Sequence, residues 1–549
     1  MPVVRKFGID FGTTNSSISL LEKQLDGTTK IKVFAVDRYD MPFEIIRSVV
    51  GYKGNETFIG NEGLEHLTGS EDNPIRQVKM QLIESENDSV ALILNDKRKY
   101  FSDVMADILR RLREKALEQL QGVHIDGVVM GVPYETPEVV KQIYLKALVK
   151  AGFYNDNEEA GINTEFVEEP IAVALHYGHT IAHQNKYAMV FDFGGGTLDM
   201  AVVELKEQSA TSSQTHKVLA KGGFSGAGEE FTKAFFLKGF FPAYRDTHCN
   251  GSAWELAKLF KQMGCRANNA EGIWYEMERS GVGWKFINKL DEIKIRLSTE
   301  ESVFFNFECS TPNEQVAFKN ILLTRKMFED AIAERLNEIR ASINRMFSSA
   351  KCKNIGVTKL SIDEVLLAGG SSMIPCVRNL LCEMFGANKV FFDKDVINVM
   401  TSISQGLAYA GYRESDFTYI DDICNFDYGI WDDIGKEIYT IIPKNTSISD
   451  TDTYDFSKKW QPPIDYKYKV NVEQVDRGAT AFGIDLYEGN KNIMHLTFDK
   501  TEHSGLYTLY FKIDAKRSIL QVFVWDNGLG KWIDDLPIGD RSFQINSMQ

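Results

Sequence analysis

Ile9-Asp10-Phe11-Gly12-Thr13-Thr14, close to the start of the chain, returns as Phe191-Asp192-Phe193-Gly194-Gly195-Gly196-Thr197, and strand-like segments flank each copy. Self-similarity of this kind predicts two similar lobes, each carrying a hairpin turn built from small residues. Glycine lets backbone N–H groups approach phosphate oxygens, threonine adds hydroxyl donors, and the preceding aspartate suits a Mg²⁺ ion and its water shell. Two such turns facing one another would grip a single triphosphate. A lone Asp-x-Gly reads as an ordinary tight hairpin. The duplicated form, with Thr in both copies, favours phosphate.

Outward from these turns, strand-like runs alternate with helical ones for about the first 410 residues, as where Val128-Val129-Met130-Gly131-Val132 precedes a periodic stretch from Pro137 to Ala151. That rhythm predicts an α/β architecture over residues 1–412. The acidic and apolar segment 413–426 reads as an interdomain linker that docks in one state and is free in another, or as a plain connecting loop. Residues 427–549 alternate as strands and turns, with a hairpin expected from Leu509 to Trp525, and predict an all-β domain.

The 549 residues carry 62 basic and 77 acidic side chains, a net charge of −15, which disfavours nucleic acid and anionic membranes as partners. The N-terminus shows no signal-peptide core, and a cytoplasmic location is expected. Seven cysteines from Cys249 to Cys424 form no Cys-x-x-Cys pair and read as reduced thiols. There is no P-loop, no Gly-x-Ser-x-Gly elbow and no His-Glu-x-x-His.

Five segments together resemble the seventy-kilodalton heat-shock (DnaK-type) chaperones of the actin, hexokinase and heat-shock ATPase superfamily. They are Gly8 to Ser17, Val129 to Pro133, Val167 to Ala172, Phe191 to Asp199 and Val365 to Pro375. Weaker likeness continues into the tail, through Ile442-Pro443-Lys444-Asn445-Thr446 and Leu486-Tyr487-Glu488-Gly489. The resemblance implies a two-lobed actin-like ATPase with duplicated ribonuclease-H-like lobes, followed by a β-sandwich that binds extended polypeptide. It implies ATP/ADP and Mg²⁺ as cofactors, with Asp10, Asp192 and Asp199 around the metal. Lys79, Glu169, Asp192 and Thr197 take the catalytic places, Lys79 by orienting the attacking water and stabilising charge on the γ-phosphate. Nucleotide contacts fall on Gly12, Thr13, Thr14, Asn15, Gly194, Gly195, Gly196, Gly228, Glu229, Asp291, Lys294, Ile295, Ser298, Gly369, Gly370, Ser371 and Met373. Pro133 and Lys141 match an interdomain relay, with Lys where Arg is usual. An unfolded or extended polypeptide client, a J-domain co-chaperone and a nucleotide-exchange factor are the implied partners.

The nucleoside side departs from that pattern. Ile295 and Met373 stand where two arginines would sandwich the adenine, Arg296 is one place away, and Met400 replaces an aspartate. One residue turns a helical side chain by about 100°, so Arg296 substitutes only if the helix rotates. Asp433 replaces an apolar arch residue, 449–465 is a lengthened loop, and the aromatic-rich stretch from Phe235 to Trp284 is expected to alter the exchange-factor face. No helical lid is expected after the sandwich. The leading expectation is a chaperone-like ATPase. The alternatives are a nucleotide-gated interaction protein with little turnover and one dedicated partner, and a small-molecule kinase of the same superfamily.

Overall fold

The computed structural model describes residues 4–24, 28–37, 43–62, 74–94, 97–120, 123–181, 186–205, 216–310, 315–349, 352, 354, 356–391, 395–412, 420–432, 435–448, 466–471, 481–499, 506–514, 519–528 and 530–532. The architecture is mixed α/β with several sheets, followed by a mainly β region from Tyr428 onward among the described residues. None of the described helices is long and apolar enough to cross a membrane.

Two six-stranded sheets carry the two Asp-Phe-Gly turns. In the first, the strand Lys6–Phe11 pairs antiparallel with Asn15–Lys23 and parallel with Gly127–Val132, which in turn pairs parallel with Thr164–Glu168. In the second, Lys186–Phe193 pairs antiparallel with Thr197–Leu205 and parallel with Glu364–Ala368. The two sheets therefore repeat one plan around the repeated sequence. Every residue of Lys6–Phe11 and of Gly127–Val132 is buried, as expected of parallel strands covered on both faces.

Two helices, Glu169–Ile181 and Val396–Ala410, lie between the sheets and pack against both. Small residues bring them close: a Cβ on Gly406 would collide with the backbone of Ala172, and one on Gly8 with the backbone of Ser404 and Ala408. Val129, Ala172, Val190, Leu366, Ile403 and Leu407 form one apolar cluster shared by both sheets and both helices. The aspartate ends of the two central strands are thereby held on the same side of one core.

The aromatic stretch from Phe235 to Trp284 is mostly interior. Phe236, Phe240, Phe260 and Phe286 are fully buried; Phe236 stacks on Phe240, and Phe286 meets the other three edge to face, for example Phe240 with centroids 5.1 Å apart. Such contacts, about 0.5–1.5 kcal/mol each beyond burial, make this region a core in its own right. None of the seven cysteines, all among the described residues, is in a disulfide.

After residue 427, two four-stranded antiparallel sheets share a core of Tyr428, Ile430, Leu486, Leu509, Phe511, Val522 and Val524. The expected hairpin forms, with Asp514 opposite Ile519 and Thr508 opposite Trp525. The segment 420–426 is docked: Ile420 and Asp421 pair parallel with His216 and Lys217 at the edge of the second sheet, and Ile423 bridges to Ser447. Residues 413–419, Asp433 and 449–465 lie outside the described residues.

Candidate nucleotide site

The repeated turns meet face to face. A Cβ on Gly195 would fall on the side chain of Thr14, and one on Gly196 on that of Thr13, so glycine is required where the turns touch. Gly194 is tied from outside, its carbonyl accepting from Ser371 Oγ at 2.8 Å and from the Gly228 N–H at 3.2 Å. Gly369, at φ 73°, brings the next loop against the Phe193 carbonyl. Glu229 joins both turns: its N–H donates to Gly195 O at 2.8 Å, and its Oε1 accepts from Thr14 Oγ1 at 3.3 Å.

Beneath the turns lies an excess of buried acid. Asp10, Asp192, Asp199 and Glu169 are all buried, and carboxylate oxygens of Glu169, Asp192 and Asp199 lie within 4.8 Å of one another. Burial first, and then the charge of Glu169, push Asp10 up to about 7 and Asp199 up to about 7. The same two causes, with Asp199 and Asp10 added, drive Asp192 well above the usual range. Asp10 Oδ1 and Asp199 Oδ2 are buried without a hydrogen-bond partner. Orphaned oxygens among several acids fit a hydrated divalent cation, which would supply the missing charge. The compact three-carboxylate group contains Glu169 in place of Asp10, which stands beside it.

Lys79, which sequence alone reads as a solvated helix lysine, is 2% exposed and ion-paired with Glu169. Burial alone would lower its pKa; the charges of Glu169 and Asp10 outweigh it, and the ammonium is held charged. Glu169 opens the helix Glu169–Ile181 and also holds Lys79, so one carboxylate serves both the helix start and the ion pair.

A cavity of about 330 Å³ runs from the turns toward the second sheet's helices. Thr14, Asn15, Gly194, Gly195, Gly228, Glu229, Asp291, Lys294, Ile295, Ser298, Gly370, Ser371 and Met373 line it, as does Met400. Asp10, Gly12, Thr13, Gly196, Thr197 and Gly369 stand in or beside the turns and do not line it. Lys294 donates to Gly228 O at 3.0 Å and pairs with Asp291, which that charge holds below its usual range despite burial. Arg296 points away and pairs with Glu300 at 2.8 Å, so the helix has not rotated to replace the missing arginine.

The wall also contains Arg47, Arg76, Gln77, Trp274 and Trp284, which sequence reasoning passed over. One signal was legible. Trp284, Ile287, Asp291, Lys294 and Ser298 recur at helical spacing, marking a single stripe of the helix Gly281–Arg296 and its end. Pro133 and Lys141 lie elsewhere, beside a small cavity formed with Glu168, Asp422, Asn425 and Tyr428, where the first sheet's connections meet the C-terminal strands.

The family model described as Hsp70 protein matches residues 6–224 and 245–482. The unmatched gap falls on the turn into the aromatic region, including the π-helical turn Phe236–Phe240. The chaperone protein DnaK of Metamycoplasma hominis is 26% identical over 458 residues, covering 82% of this chain and 66% of that protein. The chaperone protein DnaK of Thermotoga petrophila is 24% identical over 493 residues, covering 88% of this chain and 70% of the relative. For the chaperone protein DnaK of Deinococcus radiodurans the figures are 24% over 506 residues, 87% and 71%. The match across most of its length, together with the paired Asp-Phe-Gly turns, makes this chain a divergent member of the Hsp70 family.

Proposed function

We propose that this protein is a chaperone-like ATPase that couples ATP binding and hydrolysis to the holding of extended polypeptide. The observation that carries the reading is the buried acid cluster with orphaned oxygens, set under two facing glycine and threonine turns and beside the Lys79–Glu169 pair. In this reading residues 1–412 form a two-lobed actin-like nucleotide domain, 413–426 a linker and 427–549 a β-sandwich for substrate.

Asp10, Asp192 and Asp199 would hold Mg²⁺, which when bound screens the phosphates and neutralises charge that develops on them. Thr13, Thr14 and the N–H groups of Gly195 to Thr197 would fix the phosphate chain, the Gly194 N–H being donated to the Thr197 carbonyl at 3.1 Å to close the turn. Lys79 would stabilise the negative charge growing on the transferring phosphoryl group, an electrostatic role that needs no proton movement. Glu169, through its pairing, sets where the ammonium points. Ile295 and Met373 would bracket the base by dispersion in place of guanidinium stacking, which predicts weaker selection among bases. A strand added to the sandwich would gain affinity from backbone hydrogen bonds and preference from side-chain pockets. A cytoplasmic setting, a J-domain partner and an exchange factor belong to the same proposal.

The test is binding and hydrolysis measured with ATP, GTP and ADP, with and without Mg²⁺. Magnesium-dependent ATP binding with turnover is expected. Binding of no nucleotide would overturn the proposal, and binding with no turnover would favour the nucleotide-gated interaction protein.

A further inference from the structure

Tyr144 belongs to the helix Glu138–Lys150 and is fully buried in the core under the first sheet. Its ring packs edge to face with Phe11, the residue after Asp10 in the first turn, with centroids 6.3 Å apart. Val78 and Leu82, neighbours of Lys79 on the helix Val78–Ser85, are in the same apolar cluster. The ring is thus ordinary core. Its hydroxyl is not, being buried without any hydrogen-bond partner.

Phenylalanine would fill the same space without stranding a polar group, and a buried hydroxyl left unsatisfied costs stability. Burial raises the Tyr144 pKa above the usual phenol range, so the group is a neutral hydroxyl with free lone pairs. Of the charges that act on it Lys79 is the strongest, followed by Glu169 and Asp10. In the other direction, Lys79 is held charged by Glu169 first, by Tyr144 next and by Asp10 after that. An ammonium carries three N–H donors, and Glu169 Oε1 is the one hydrogen-bond acceptor that Lys79 has among the described residues. Spare donors and a spare acceptor therefore share one dry cluster, with the bond between them unmade. A neutral hydroxyl can take that bond without adding charge to a cluster already rich in acid.

We propose that Tyr144 is a positioning residue for phosphoryl transfer, its hydroxyl accepting from the Lys79 ammonium when the γ-phosphate competes with Glu169 for that ammonium. The inference rests on the nucleotide reading above and adds to it a residue outside the phosphate, metal and catalytic sets. Tyr144 touches no reacting atom and acts through Lys79. With the hydroxyl removed, Lys79 keeps its charge and loses one of the two side chains that aim it.

The experiment uses the full chain. In Tyr144→Phe, single-turnover ATP hydrolysis should fall about tenfold, the loss of one hydrogen bond to a charged group, while affinity for ATP and ADP stays within about twofold because the bond is made only in the reacting state. The melting temperature without nucleotide should not fall, since the change removes a stranded hydroxyl and keeps the ring. A tyrosine that only packs gives the opposite pattern, a lower melting temperature with turnover per folded molecule intact, and that result would sink the proposal. A second measurement needs no loss of the hydroxyl. With 3-fluorotyrosine placed at position 144 alone, the ¹⁹F resonance should move on adding Mg²⁺ with the β,γ-imido analogue of ATP and stay in place with Mg²⁺ and ADP. Wild-type turnover in Tyr144→Phe, or one ¹⁹F position in both nucleotide states, would overturn the role of Tyr144 and leave the nucleotide reading standing. Failure of the wild type to bind either nucleotide would overturn both.

Discussion

Glu168 and Glu169 are consecutive, the last residue of a strand and the first of a helix, yet they belong to opposite kinds of buried charge cluster. Glu169 faces the cleft with Asp10, Asp192 and Asp199, four acids served by one lysine, and two carboxylate oxygens there have no partner. Glu168 faces the junction with the C-terminal strands. There Lys221 lies 2.9 Å from Glu168 and 2.7 Å from Asp422, and donates to Ile423 O and Asn425 Oδ1 at 3.1 Å each. Asn425 donates in turn to Glu168. Burial would lower the Lys221 pKa, but Asp422 and Glu168 more than offset it. The second cluster draws its lysine and amide donors from the chain, with Glu168 Oε2 2.9 Å from the Lys221 ammonium although without a hydrogen bond of its own, while in the proposed reading the first is completed by a cation.

The largest effect expected is at the unbalanced cluster. Lys79→Gln should lower single-turnover ATP hydrolysis by about 10²–10³-fold, the scale of losing one preorganised charge at a reacting phosphoryl group. It should also cost about 3–5 kcal/mol of stability, because Glu169 is left buried and unpaired. Lys79→Gln combined with Glu169→Gln should recover most of the melting temperature and none of the turnover. If stability and turnover recover together, the pair is structural and the contrast between the clusters fails.

At the balanced cluster the loss should appear in attachment and not in chemistry. Lys221→Met leaves Glu168 and Asp422 facing each other without a cation, a cost of about 3–5 kcal/mol. Hydrogen exchange of residues 420–425 should accelerate by at least an order of magnitude, while nucleotide affinity stays within about twofold, the two sites being separate networks. An equal fall in nucleotide affinity would show one cluster where two are drawn.

The repeat of Asp10 and Asp192 was enough to anticipate two like sheets with their turns opposed, because backbone hydrogen bonding and glycine sterics are local consequences of local sequence. The close approach of the glycine and threonine turns was legible for the same reason. Lys79 was singled out only through the family resemblance: a lysine two residues into a short helix reads by itself as solvated, and only the distant Glu169 makes burial tolerable. Arg76 and Trp284 were hidden by separation along the chain, since their contact exists only when two distant segments converge. The aromatic residues from Phe235 to Trp284 suggested an altered surface, but in the fold they mostly fill a core, while Trp254 and Tyr275 remain exposed.

A third buried acid lies between these extremes and gives the smallest, most specific test. Glu488, 5% exposed, ends a strand of the C-terminal sheets and meets the first helix beyond Pro133, the Glu138–Lys150 helix. Its Oε2 accepts from the Glu138 N–H at 3.4 Å and its Oε1 from Tyr428 at 3.1 Å. Burial, and then the charge of Glu138, raise its pKa to about 7, with Lys141 acting against them. A carboxyl raised on docking stabilises the docked form fully below its free value near 4.5 and loses that contribution as pH rises through about 7. Attachment of the C-terminal sheets should therefore weaken between pH 5 and 8 by on the order of 2 kcal/mol. Small-angle scattering and limited proteolysis in excess Mg²⁺ should follow the change. Glu488→Gln, which keeps the shape and removes the charge, should stay docked across the range and be the more compact protein at pH 8. Parallel pH profiles for the two proteins would place the titration elsewhere, in Glu168 and its partners, and the balanced cluster would then be the pH-sensitive one.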